Sequence, residues 1–198
     1  MNADAAVPLG RPRAAVRQTL RAATDHVHER LHLAEPFEAI GRGNIAPARY
    51  ADLLCRLLRF HDASNAALQR GHALLRAVPY HDRAPLLRAD LQSLGITCQP
   101  RPSPQLAALP DDETVGVVYA VEGSLLGGRV IDRQLDAVFG GRTEGRTFFA
   151  SEVGPDGRWQ RVCAALERHG ADPGRVPAMC RGALRSFIFM EHCLGNDA

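Results

Sequence analysis

The sequence of 198 residues contains no lysine: all 24 basic side chains are arginine, and 22 acidic residues leave a formal net charge of +2. So small a surplus makes no field strong enough to recruit nucleic acid or an anionic membrane surface. The five cysteines, Cys55, Cys98, Cys163, Cys180 and Cys193, are odd in number and show no Cys-x-x-Cys spacing. That pattern argues against a disulfide framework and against a thiolate zinc site, and points to a reducing, cytoplasmic setting. No uninterrupted run of 18 apolar residues occurs, and prolines and arginines break up the N-terminal stretch MNADAAVPLGRPRAAV, so the reading contains neither a signal peptide nor a membrane span. Strand alternation, hairpin signals and internal repeats are also missing, which excludes sheet-based and solenoid folds.

What is present is helical periodicity in a single domain. Pro8, Gly10 and Pro12 make residues 1–12 a flexible arm, and residues 13–198 form the domain. Val16, Leu20, Thr24, Val27, His28 and Leu31 recur at steps of three and four, the inward stripe of a helix running to about Leu33. Tyr50, Leu54, Leu57, His61, Ser64 and Leu68 do the same for a long helix that starts near Pro47. A helix capped by Asp82 turns Leu87, Leu91 and Leu94 inward and stops at Gly95, and a proline-rich loop follows from Pro100 to Pro110. The acidic start Asp111-Asp112-Glu113 then opens a helix that ends at Gly140-Gly141, and two more helices cover about Asp156–His169 and Pro177–Leu194. The expected architecture is an all-α bundle of six or seven helices.

The helix from Asp111 carries glycines at 116, 123, 127 and 128, each costing on the order of 1 kcal/mol relative to alanine. Gly116, Gly123 and Gly127 fall within about 60° of one another on one face at about 100° per residue. The bare strip suits either close packing of another helix or a flat ring laid on exposed backbone. Of the eight histidines, His28 and His32 stand one turn apart, and Glu29 with His32 forms a single Glu-x-x-His. A di-iron carboxylate bundle needs a second such motif, and Glu191-His192 has the wrong spacing.

The segments Leu20-Arg-Ala-Ala-Thr-Asp-His-Val-His-Glu-Arg-Leu-His32 and Tyr119-Ala-Val-Glu-Gly-Ser-Leu-Leu-Gly-Gly128 together resemble heme oxygenases, particularly the bacterial biliverdin-producing branch. The likeness covers about residues 14–194 and implies a helical bundle with heme between a proximal N-terminal helix and a kinked, glycine-rich distal helix. It implies His28 as the iron ligand, Gly123, Ser124, Gly127 and Gly128 as the distal catalytic segment, and Arg21 and, more weakly, Tyr119 as partners of a heme propionate. Two departures stand out. His32 occupies the place where many members carry an acid that accepts the proximal imidazole N–H, and Ser124 follows the first distal glycine where the mammalian type has an Asp.

The resemblance implies an enzyme that uses heme as both cofactor and substrate, with its iron and O2, and yields biliverdin, carbon monoxide and ferrous iron. Electrons would come from a ferredoxin, a flavodoxin or an ascorbate-like reductant, and an acidic donor would meet arginines. Biliverdin could pass to a bacteriophytochrome or simply mark iron acquisition. Two other readings stay open: a heme- or tetrapyrrole-binding protein without turnover, and a heme-free helical oxidase or thiaminase-like relative.

Overall fold

The computed structural model describes residues 15–99, 106, 108–151 and 157–195; the expected arm over 1–12 and most of the Pro100–Pro110 loop lie outside them. The described residues form eight helices and no strand: α1 (Val16–His32), α2 (Glu35–Gly41), α3 (Pro47–Leu75), α4 (Ala84–Ser93), α5 (Asp111–Phe139), α6 (Thr147–Ala150), α7 (Arg158–His169) and α8 (Val176–Leu194). Helices α2 and α6 were not in the periodicity, because seven and four residues are too few to establish one. The proline starts and the glycine stop are as read: Pro47 lies in the first turn of α3, and Gly140 ends α5 in the left-handed region with its N–H on the Asp136 carbonyl. Leu94 is a correction, since it lies past the end of α4 and is partly exposed while Leu87 and Leu91 are buried.

Helix α1 has no capping side chain of its own. The Glu167 carboxylate of α7 accepts the backbone N–H groups of Val16 and Arg17 at 2.9 and 3.0 Å. Two orphan donors are thereby satisfied by a negative charge at a helix N-terminus. The stripe of α1 buries Val16, Leu20, Thr24 and Val27, and α1 packs chiefly on α8.

Helix α5 is the centre of the bundle, packed on α8 and α3. A Cβ added at Gly116 would overlap the Met179 carbonyl, one at Gly182 the Glu113 carbonyl, and one at Gly71 the Thr114 carbonyl. The helices therefore cross backbone against backbone, which only glycine permits. At Gly116 the bare strip serves helix packing. Among the described residues α5 is the one helix long and apolar enough to cross a membrane, and half of its apolar window is buried inside the fold.

The cysteines also correct the sequence reading: Cys55 of α3 and Cys98 beyond α4 form a disulfide across a Cα separation of 5.7 Å. It ties the chain after α4 to the N-terminal third of α3. Cys163, Cys180 and Cys193 remain thiols.

The crossing gives a clear contrast. Gly116→Ala should lower unfolding free energy in urea by about 3 kcal/mol or more through overpacking. Gly127→Ala, where a Cβ meets open space, should lose nothing and gain up to about 1 kcal/mol of helix propensity. Equal stability of the two variants would contradict the packing.

Candidate functional site

Helices α1 and α5 both lean on α8 and meet each other at a small cluster of Val27, Ala120 and Phe187. Beside that cluster opens a cavity of about 680 Å³, within the range of about 300–1,000 Å³ usual for small-molecule sites. One wall is α1, with His28, Leu31 and His32; another is α5 from Ala120 to Gln134. Phe187 and Met190 of α8, Phe60 and His61 of α3, and Phe148 and Phe149 of α6 complete an apolar lining, and Phe37 and Glu38 of α2 stand at a further edge.

The α6 wall is held from outside. Asp90, buried on the leucine stripe of α4, accepts the N–H groups of Thr147 and Phe148, both at 2.8 Å, and the Thr147 hydroxyl at 2.5 Å. Arg146 reaches Asp136 of α5 at 2.6 Å, and the Tyr50 hydroxyl donates to the Gly145 carbonyl at 2.9 Å. A lone carboxylate among leucines was the signal for this, but its partners lie far along the chain.

His28 is half-buried, its ring edge-on to His32 at 4.4 Å between centroids and to Phe187 at 5.6 Å. Burial first, and then the neighbouring His32, push its pKa below the ordinary histidine value. At neutral pH it presents an unprotonated imidazole, the form in which histidine can ligate a metal. Two buried polar groups in the lining, His61 and Ser186, were not singled out as site residues from sequence. His61 is fully buried between Phe60 and Phe148, at 5.5 and 5.3 Å, and burial together with Arg83 pulls its pKa down to about 3. The Ser186 hydroxyl is buried in the wall and has no hydrogen-bond partner among the described residues. A buried hydroxyl left open in a cavity is a place for a ligand atom or an ordered water.

The glycines of α5 divide their duties. A Cβ at Gly123 would stand 3.3 Å from the Trp159 ring, whereas one at Gly127 would meet nothing within 4 Å. Gly127 thus offers bare backbone to the cavity, and Gly128 lines it alongside. The exposed Ser124 donates its hydroxyl proton to the Val121 carbonyl at 2.8 Å. The structure brings His28, His32, Gly123, Ser124, Gly127 and Gly128 together around one cavity; Arg21 and Tyr119 are outside its lining. Arg21 is exposed and lies 3.9 Å from Asp25. Tyr119 packs 6.0 Å from the Trp159 ring and interacts with Thr24, which links α5 to α1 one turn before His28. Among the described residues no three or more His, Cys, Asp or Glu side chains gather as a metal-ligand set. The imidazoles that line the cavity are those of His28, His32 and His61.

His61 sets a pH dependence. Because its folded pKa lies near 3 and the unfolded value near 6.5, its neutral form contributes stability that is full above pH 6.5 and is lost as pH falls toward 3. Urea midpoints should drop between pH 6.5 and 5, and His61→Leu should flatten much of that slope. An unchanged slope in the variant would contradict the assignment.

No family profile matches the chain. A heme oxygenase of Xanthomonas campestris pv. campestris (strain 8004) is 30% identical over 168 residues, covering 81% of this chain and 98% of that protein. Two solved structures share the fold. The NO- and CO-bound heme oxygenase of Neisseria meningitidis superposes with a TM-score of 0.76 at 22% identity, over 94% of this chain and 96% of that one. The heme complex of heme oxygenase-1 from Synechocystis sp. PCC6803 gives 0.74 at 15% identity, over 91% of each chain.

Proposed function

The chain belongs to the heme oxygenase family, and from that premise we propose that its cavity binds heme through His28 and opens the ring to biliverdin, carbon monoxide and ferrous iron. The observation that carries the reading is the pairing of two walls: a half-buried neutral imidazole on α1 and, on α5, a stretch of helix bare at Gly127. The apolar lining fits a flat tetrapyrrole, and the Ser186 hydroxyl, without a hydrogen-bond partner among the described residues, and the neutral His61 offer polar contacts to a ligand or to ordered water.

Bound heme supplies the chemistry that activates O2 once electrons arrive. The protein's residues bind, orient and exclude. His28 holds the iron, and the edge of His32 limits rotation of its ring. Gly127 and Gly128 put no side chain into the space on the α5 side, so at these two positions the helix would supply backbone and no acid or base to a bound ligand. Proton handling falls to hydroxyls, a neutral imidazole and ordered water. Ser124 retains acceptor lone pairs after donating to Val121, and neutral His61 donates at one ring nitrogen and accepts at the other. Arg21, exposed and close enough to Tyr119 to influence its hydroxyl, would supply a positive charge for a propionate.

Electrons come from a ferredoxin, a flavodoxin or an ascorbate-like reductant in the cytoplasm, and a bacteriophytochrome is a candidate receiver of biliverdin. A heme carrier without turnover is the second reading, favoured by His32 standing where an acid would strengthen the ligand.

His28→Ala tests the assignment. Mixed with hemin, the variant should lose the imidazole-ligated iron spectrum and most of the wild-type ring opening, because the side chain that would hold the iron is gone. Full turnover in the variant would overturn the site.

A further inference from the structure

The two residues that open α7 grip two consecutive residues of α5. Arg158 donates from Nε and Nη2 to the Glu122 carboxylate at 2.8 and 2.6 Å, and both of its terminal nitrogens reach the Pro79 carbonyl at 3.2 Å. His72 of α3 holds the same carboxylate at 3.1 Å. Burial pushes the Glu122 pKa up, but the bonds from His72 and Arg158 outweigh it and hold the group down at about 2, ionised throughout the neutral range. The next residue of α7, Trp159, seats its ring on Gly123, leaving 3.3 Å to where a Cβ would stand.

The place of this grip matters. Before it, α5 is nearly all buried between α3 and α8; immediately after it, Ser124 and Leu126 are exposed and the helix overlooks the cavity. Gly127, the bare position, is one turn further on.

We propose that Arg158 and Trp159 are positioning residues for the reaction: they lock α5 at Glu122 and Gly123 and so fix the depth at which the bare backbone of Gly127 stands in the cavity. Position 123 is then glycine because of Trp159, while position 127 is glycine because of the substrate. The inference rests on the reading of the cavity as the heme site.

Trp159 is the only tryptophan in the chain, so its emission reports the contact without heme. Wild type, Gly123→Ala, Trp159→Phe and the double variant are compared as full chains. A Cβ at 123 forces the ring to give by a few tenths of an ångström; a phenyl ring removes the atoms it meets, Cη2, Cζ3 and Cζ2. Gly123→Ala should shift the apo emission maximum and lower kcat about tenfold, the scale of a sub-ångström misplacement, with KM for hemin little changed. The double variant should recover most of that loss. Unshifted emission, or a double variant as slow as Gly123→Ala, overturns the proposal. If Gly123→Ala does not fold, Arg158→Lys decides, because it keeps the charge but loses the fork and the Pro79 contacts: a fall in kcat at constant KM supports the clamp, and unchanged kcat overturns it. A wild type that takes up no hemin fails the functional reading itself, and the proposal with it, in a separate arm from the emission result.

Discussion

At the centre of the bundle, carbonyl groups rest where side chains would otherwise be. Gly116 of α5 lies on the Met179 carbonyl, Gly182 of α8 on that of Glu113, and Gly71 of α3 on that of Thr114. This three-way crossing brings α5 so close to its neighbours that its first half is nearly all buried. The second half projects beyond the crossing, and α1, which packs on α8, lies across the gap. The cavity is the space this geometry leaves, closed at the point where Val27, Ala120 and Phe187 touch. Shifting the crossing would move both walls.

Charge is spent on the frame rather than in the cavity. Glu113 is buried against Arg181 and Arg185 at 3.1 and 2.8 Å, Glu122 against Arg158, and Asp90 against backbone N–H groups and the Thr147 hydroxyl of α6. Arginine suits this work because its planar fork reaches a carboxylate and a carbonyl at once, as Arg158 does. The cavity retains imidazoles, hydroxyls, an amide and, at its edge, Glu38. Burial keeps His28 and His61 neutral, which is the state needed to bind iron or to relay a proton.

Helical periodicity was enough to read α1 and α3 in the sequence, since a stripe such as Val16, Leu20, Thr24 and Val27 records burial directly. That His28 would turn inward was legible because it continues that stripe, and the structure places it on the cavity wall. The division of labour among the glycines was not. Gly116, Gly123 and Gly127 share a face, yet one meets α8, one meets Trp159 and one meets open space, and those neighbours come from distant parts of the chain. The same reason hid the Cys55–Cys98 bridge and the capping of α6 by Asp90. His61 and Ser186 were visible only as polar interruptions of apolar faces, which a packed core also tolerates when they are satisfied.

The central claim is that this cavity holds heme on His28 and turns it over. The most direct measurement is an absorbance time course of the purified protein with one equivalent of hemin, supplied with ascorbate or a reduced ferredoxin in air. The account predicts a Soret band that decays as the broad red band of biliverdin grows. A Soret band that persists through the electron supply would contradict it.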